Sequence, residues 1–201
     1  MFDVANKIAY ANLMVHGVED DTNRDDWLGH SCWYDVRGTG DGHWVQAQGE
    51  AAMDLVHQLL ESKTLGGQLK NARGEWHINV ITPYKDVGSA FTAMLRQQFN
   101  DIDDIYKMTG TVHTFQGKEA DVVILLLGGN PDKQGAVSFF AGNEQAPNLL
   151  NVALTRAKKR LYVVGDKQMW TSNSGTFREL ADQLERHEKS HGAGMRTSVA
   201  A

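Results

Sequence analysis

Six consecutive apolar residues, VVILLL at 122–127, and a second apolar run, LYVV at 161–164, set the frame of the chain. A strand that is apolar at every position must be covered on both faces, which is the condition of a parallel sheet sandwiched by helices. The pattern around these runs predicts further strands over 78–81 and 110–112, with a helix over 85–99 between them. Helices alternating with buried strands read as a doubly wound α/β domain, a parallel sheet flanked by helices.

The first 77 residues are less regular. Apolar positions at Phe2, Ile8, Ala9, Leu13 and Met14, with Asp3 as N-cap, predict a short helix over 2–15, followed by an acidic loop over 17–31. SCWYDV at 31–36 is a strand, the glycines of RGTGDGH mark a turn, and a helix follows over 45–62. A core over 78–174 would then follow this 1–77 segment. Within it, the stretch 128–147 is a long connection that carries Phe139 and Phe140, too apolar to be simply solvated; it holds a short helix or packs on a missing neighbour. SGTFREL resembles a capping box and starts a charged helix over 175–190, and 191–201 is expected to be disordered.

Composition adds three constraints. With 201 residues and 41% apolar content the chain can bury a substantial core. Cys32 is the single cysteine, so no internal disulfide forms, and a reducing intracellular or cytoplasmic setting is expected. The start lacks a signal-peptide pattern and no segment approaches the roughly 20 apolar residues of a membrane span, so no membrane partner is expected. The net charge of −5 argues at first against nucleic acid, but residues 1–60 hold ten acids and three bases while residues 61–201 hold fifteen acids and seventeen bases. Only the later part is compatible with phosphate.

Chemistry concentrates in three stretches beside the predicted strands, and in open parallel sheets ligands bind at the carboxyl ends of strands. VITPYK ends a strand with the hydroxyl of Thr82, Pro83, the ring of Tyr84 and the cation of Lys85, a set suited to phosphates and a stacked base. TVHTFQGKEAD turns at Gly117, where backbone amides can approach a phosphate, and follows the polar residues Thr111, His113, Thr114 and Gln116. Glu119 could accept hydrogen bonds from a ribose. NLLNVALTRAKKR is read as a helix ending in Arg156, Lys158, Lys159 and Arg160; an arginine held on a packed helix keeps its charged fork in a fixed direction, as stabilising a transferring phosphoryl group requires. Taken singly, Pro83 ends a strand, His113 is a turn histidine, Glu119 is a helix-start acid and Arg156 closes a helix. Their combination points to a nucleotide and a nucleic-acid strand.

The order TPY, then TVHTFQGKEADVVIL, then LLNVALTRAKKRLYVVGD resembles motifs IV, V and VI of superfamily 1 helicases, and is most similar to the branch that includes the nonsense-mediated-decay and DNA-replication/repair helicases. Residues 78–166 carry the resemblance, and ANKIAYANLMVHG resembles the stretch after that family's tyrosine-arginine motif. The resemblance implies a RecA-like P-loop NTPase fold, ATP and Mg²⁺ as cofactors, and single-stranded DNA or RNA as partner. It implies Arg156 as an arginine finger reaching ATP bound on another RecA-like domain, Gln116 with Gly117 near the γ-phosphate, and Glu119 toward the ribose. Thr82, Pro83, Tyr84, Thr111 and His113 would face the single strand, with Asn151 and Thr155 supporting the motif VI helix.

One part of such a motor is missing. No G-x-x-x-x-G-K-[ST] loop exists in the chain, GTGDGH lacks the lysine and hydroxyl that meet phosphate and Mg²⁺, and no Asp-Glu pair ends an apolar strand. The triphosphate and Mg²⁺ would be held by an upstream RecA-like domain of the same full-length protein, and this chain alone is expected to be inactive. No metal is assigned to the chain, and His16, His30, His43, His57 and His77 read as surface or packing residues. A degenerate binding module without motor activity is the alternative; the joint presence of Gln116, Glu119 and Arg156 argues against it. No G-x-S-x-G elbow or post-strand G-x-G-x-x-G fingerprint supports an unrelated hydrolase or oxidoreductase.

Overall fold

A computed structural model describes residues 29–130 and 148–190. The helix expected over 2–15, most of the acidic loop, the aromatic pair Phe139 and Phe140 and the tail over 191–201 lie outside the described residues. Five parallel strands form one sheet: β1 (Cys32–Asp35), β2 (Ile78–Thr82), β3 (Thr109–Thr111), β4 (Ala120–Leu126) and β5 (Ala157–Gly165), in the order β1-β5-β4-β2-β3. The doubly wound α/β expectation holds.

β4 shows why the sheet sits where it does. Val122, Val123, Ile124, Leu125 and Leu126 are all fully buried although successive side chains point to opposite faces, so both faces are covered. Each such side chain contributes roughly 1.5–3 kcal/mol on leaving water. Around the sheet lie α1 (Gln46–Glu61), α2 (Lys85–Gln98), α3 (Asn148–Thr155), α4 (Lys167–Ser172) and α5 (Gly175–Ser190). The helix read over 45–62 is α1 with its two flanking caps: Val45 is extended, and Ser62 donates its amide to Leu59 O. α4 has no strong periodicity in the sequence; Asp166 nucleates it by accepting the amide of Met169 at 2.9 Å.

The third motif departs from its sequence reading. The helix stops at Thr155, and Arg156 occupies the single-residue joint before β5. Lys158, Lys159 and Arg160 belong to β5, not to the helix. Pairing with β4 is the reason: Ala157 is opposite Ala120 and Arg160 opposite Val122, with a bulge between them. Arg160 is buried there and donates from Nε to Gly29 O at 2.7 Å. Sheet pairing overrides the basic, helix-ending look of RAKKR.

The order of strands also fixes a crevice. From β2 the chain passes through α2 to β3 at one edge, then returns to β4 and moves the other way through α3 to β5. Adjacent strands β2 and β4 therefore feed connections that diverge, and the gap beyond their carboxyl ends is the usual ligand position in such sheets.

Candidate functional site

The motif residues divide between the two edges of the sheet. Thr82 and Thr111 are paired neighbours at the carboxyl ends of β2 and β3. Gln116, Gly117 and Glu119 precede β4 and Arg156 precedes β5, so they stand at the amino edge, not at the carboxyl ends expected for all three stretches. The segment over 112–119 joins the edges. It leaves β3, forms a 3₁₀ turn over Val112–Phe115 that buries Val112 and Phe115 and packs beside α3, and reaches the start of β4.

At the amino edge, the amide of Ala120 donates to Arg156 O at 3.0 Å, which fastens the end of the motif loop to the joint before β5. The half-buried Arg156 side chain is held by the end of its own helix: Nε donates to Val152 O at 3.2 Å and Nη2 to Thr155 Oγ1 at 3.1 Å. Thr155 Oγ1 in turn donates to Val152 O at 3.0 Å. No carboxylate among the described residues pairs with Arg156. Its charge is thus oriented by carbonyl and hydroxyl dipoles and not neutralised. Gln116, Gly117, Lys118 and Glu119 are exposed, and Gly117 has φ 81° with open space where a Cβ would sit. Lys158 approaches Glu119 at 3.8 Å, an exposed pair of little energetic weight. Behind them His77 Nδ1 meets Asp121 Oδ2 at 2.5 Å. Asn151 is half-buried on α3.

These amino-edge groups suit contact with a nucleotide held elsewhere: one fixed arginine fork, an exposed amide side chain, a glycine turn and a carboxylate. They do not form a cradle for a triphosphate. Among the described residues no group of three or more His, Cys, Asp or Glu could hold a metal ion.

At the carboxyl edge two of the residues expected to face a strand are buried. Thr82 is fully buried, and its hydroxyl accepts the amide of Tyr84 at 3.3 Å. Tyr84 is also buried. Its ring lies flat against His43, with centroids 3.9 Å apart and planes 7° apart, and Trp170 of α4 stands 6.3 Å away on a tilt. Burial, and secondarily the charge of Asp86, pushes the Tyr84 hydroxyl up to about 12. Pro83 and Thr111 are half-buried, while His113 and Thr114 are exposed; Thr111 Oγ1 lies 3.5 Å from Thr114 Oγ1. Lys85 is exposed at the start of α2.

His43, expected as a surface or packing residue, is half-buried against Tyr84. Asp86 Oδ2 accepts from both its backbone amide, at 2.9 Å, and its ring Nδ1, at 3.1 Å. Burial raises the Asp86 carboxyl, but these bonds and the histidine charge outweigh it and leave the group below the usual carboxylate range. No motif marks His43: its partners, Tyr84 and Asp86, are about forty positions away, so only the fold brings them together.

Comparison with known proteins adds an independent line. A family model described as an AAA domain matches residues 6–168. The chain is 32% identical over 117 residues to Regulator of nonsense transcripts 1 of Dictyostelium discoideum, covering 57% of this chain and 8% of that protein. It is 31% identical over 152 residues to DNA polymerase alpha-associated DNA helicase A of Saccharomyces cerevisiae, covering 74% of this chain and 20% of that protein. NFX1-type zinc finger-containing protein 1 of Mus musculus is 38% identical over 146 residues, covering 70% of this chain and 7% of its own length. The chain spans a fifth or less of each of these relatives.

Proposed function

The chain belongs to the superfamily 1 helicases as a C-terminal, RecA-like domain, and from that premise we propose that it is the second half of an ATP-driven nucleic-acid motor, inactive alone. ATP and Mg²⁺ are held by an upstream RecA-like domain of the full-length protein, and single-stranded DNA or RNA is the partner. Arg156 acts as the arginine finger, with Gln116 and Gly117 near the γ-phosphate and Glu119 toward the ribose. The observation that carries this reading is the state of Arg156: a permanently charged fork, seated in a one-residue joint, oriented by Val152 O and Thr155 Oγ1 and paired with no carboxylate of the described residues. Such a group can stabilise charge developing on a phosphoryl group without first breaking an ion pair.

The two-edged arrangement supports a way of coupling hydrolysis to movement. The residues that this reading assigns to the nucleotide stand at the amino edge and Thr111, His113 and Pro83 at the carboxyl edge, and the segment over 112–119 runs from one to the other while packing beside the helix that precedes Arg156. Closure of the cleft on ATP would pull on the amino end of this segment, and its buried anchors Val112 and Phe115 would carry the displacement to the strand-facing end. Alternating grip then becomes stepping.

The experiment measures ATP hydrolysis by the chain alone and by the chain mixed with its upstream phosphate-loop domain, each with and without single-stranded DNA or RNA. Hydrolysis that requires both parts and rises with strand supports the motor. Robust hydrolysis by the chain alone, or none from the docked pair, overturns it in favour of a different enzyme or a binding module.

A further inference from the structure

The crevice between the carboxyl ends of β2 and β4 is occupied by the loop that carries His43. His43 lies over it with its ring parallel to Tyr84 at 3.9 Å. Asp86, in the first turn of α2, grips both the His43 amide and ring Nδ1. From the β4 side, Gly129 donates its amide to His43 O at 2.8 Å. Two glycines permit this approach: Gly128, with φ 60°, where a Cβ would lie 2.7 Å from His43 O, and Gly42, with φ 62°, where a Cβ would lie 2.8 Å from Asp86 Oδ2. Three elements thus fix one histidine ring in position.

The ring held in this way keeps 26% of its side chain exposed. Tyr84 covers one face, which leaves the opposite face or the rim for the exposed part. An aromatic face held parallel to the ring beneath it, at the carboxyl ends of β2 and β4, has the form of a stacking platform, and stacking accepts any base because every base has a π-face. Tyr84 cannot serve directly because it is buried beneath His43.

We infer that His43, braced by Asp86 and backed by Tyr84, stacks on a nucleobase of the bound single strand. The inference rests on the strand-binding reading of this edge and adds to it a residue outside the helicase motifs. His43 contacts the base, whereas Thr111 and His113 contact the sugar-phosphate chain. Asp86 is a positioning residue that acts through His43.

The test uses the full-length protein with fluorescent oligo(dT) or oligo(U), whichever the wild type holds more tightly, and a strand of equal length with abasic sites. His43→Ala is expected to weaken binding of the base-containing strand by about tenfold, to leave the abasic strand unchanged, and to be rescued by His43→Phe. Asp86→Asn should fall between wild type and His43→Ala on the base-containing strand. If wild type and His43→Ala hold the base-containing strand equally, the inference is overturned while the strand-binding reading stands. If the wild type holds neither strand, both fall. Should His43→Ala lose the fold, photo-crosslinking of a 5-iodouracil strand to the wild type decides: a crosslink within the peptide carrying His43 supports the contact, and crosslinks confined to other peptides overturn it.

Discussion

Ala120 and Arg156 are joined by a backbone hydrogen bond of 3.0 Å, which ties the first residue of β4 to the residue that precedes β5. Because the main chain makes this tie, the guanidinium can be removed without dismantling the amino edge. Arg156→Ala loses two side-chain bonds, to Val152 O and Thr155 Oγ1, worth together about 1–3 kcal/mol. In the full-length protein it is expected to lower strand-stimulated ATP hydrolysis by about 10³–10⁵ while nucleotide binding changes far less. A single-turnover assay at saturating ATP checks this, and a retained rate would refute the role.

Gly117 separates a phosphate-approach role from a simple turn. Its φ of 81° costs an alanine about 1–2 kcal/mol, and no neighbour adds a clash. Asparagine visits this region more readily, so the denaturation midpoints should rank wild type, Gly117→Asn, Gly117→Ala. If the backbone here approaches phosphate closely, both variants lose ATP hydrolysis in the full-length protein. Recovery of hydrolysis in Gly117→Asn would reduce Gly117 to a turn residue.

Phe115 tests whether the segment over 112–119 transmits force. It is almost fully buried in the 3₁₀ turn beside α3. Phe115→Ala should destabilise the chain by about 3–5 kcal/mol, as large aromatic truncations in cores do. His113→Ala, two positions earlier and exposed, should stay within about 0.5 kcal/mol of wild type. The sharper measurement is coupling: Phe115→Leu is expected to keep basal hydrolysis in the full-length protein but lose much of its stimulation by strand. Equal stimulation in wild type and Phe115→Leu would remove Phe115 from the transmission path.

These predictions draw unequally on what could be read from the letters alone. β4 and the second half of β5 were legible because a strand buried on both faces leaves an uninterrupted apolar run, and that signal needs no knowledge of neighbours; β2 carries the same signal broken by Asn79. The start of β5 was not legible: Lys158–Arg160 looks helical until the pairing of Val122 with Arg160 is known. The identity of the motif residues was legible too, but not their distribution over two edges, because the crossing from β3 to β4 is made by a 3₁₀ turn that leaves no periodic trace. Thr82 and Tyr84 read as strand-end residues open to a ligand. Tyr84 is covered by His43 and Trp170, which lie about forty residues before and eighty-six after it in sequence, and no local pattern encodes contacts of that range.

Asp86 offers a test of the brace itself through pH. Its carboxyl is raised by burial but lowered further by the His43 amide and ring and by the histidine charge, so its folded value lies below the ordinary 3.8. A carboxylate depressed on folding adds stability above its unfolded value, and that stability is lost as the pH falls through the folded value, since the unfolded chain binds the proton first. Asp86→Asn cannot titrate. The stability difference between wild type and Asp86→Asn should therefore be full above about pH 5 and shrink steadily toward pH 3. Denaturant midpoints taken across that interval, with the ring environment of Tyr84 as a second probe, check the prediction. A difference that stays constant with pH would mean that the carboxylate charge is not what holds the His43 loop, and that shape and the backbone bond from Gly129 hold it instead.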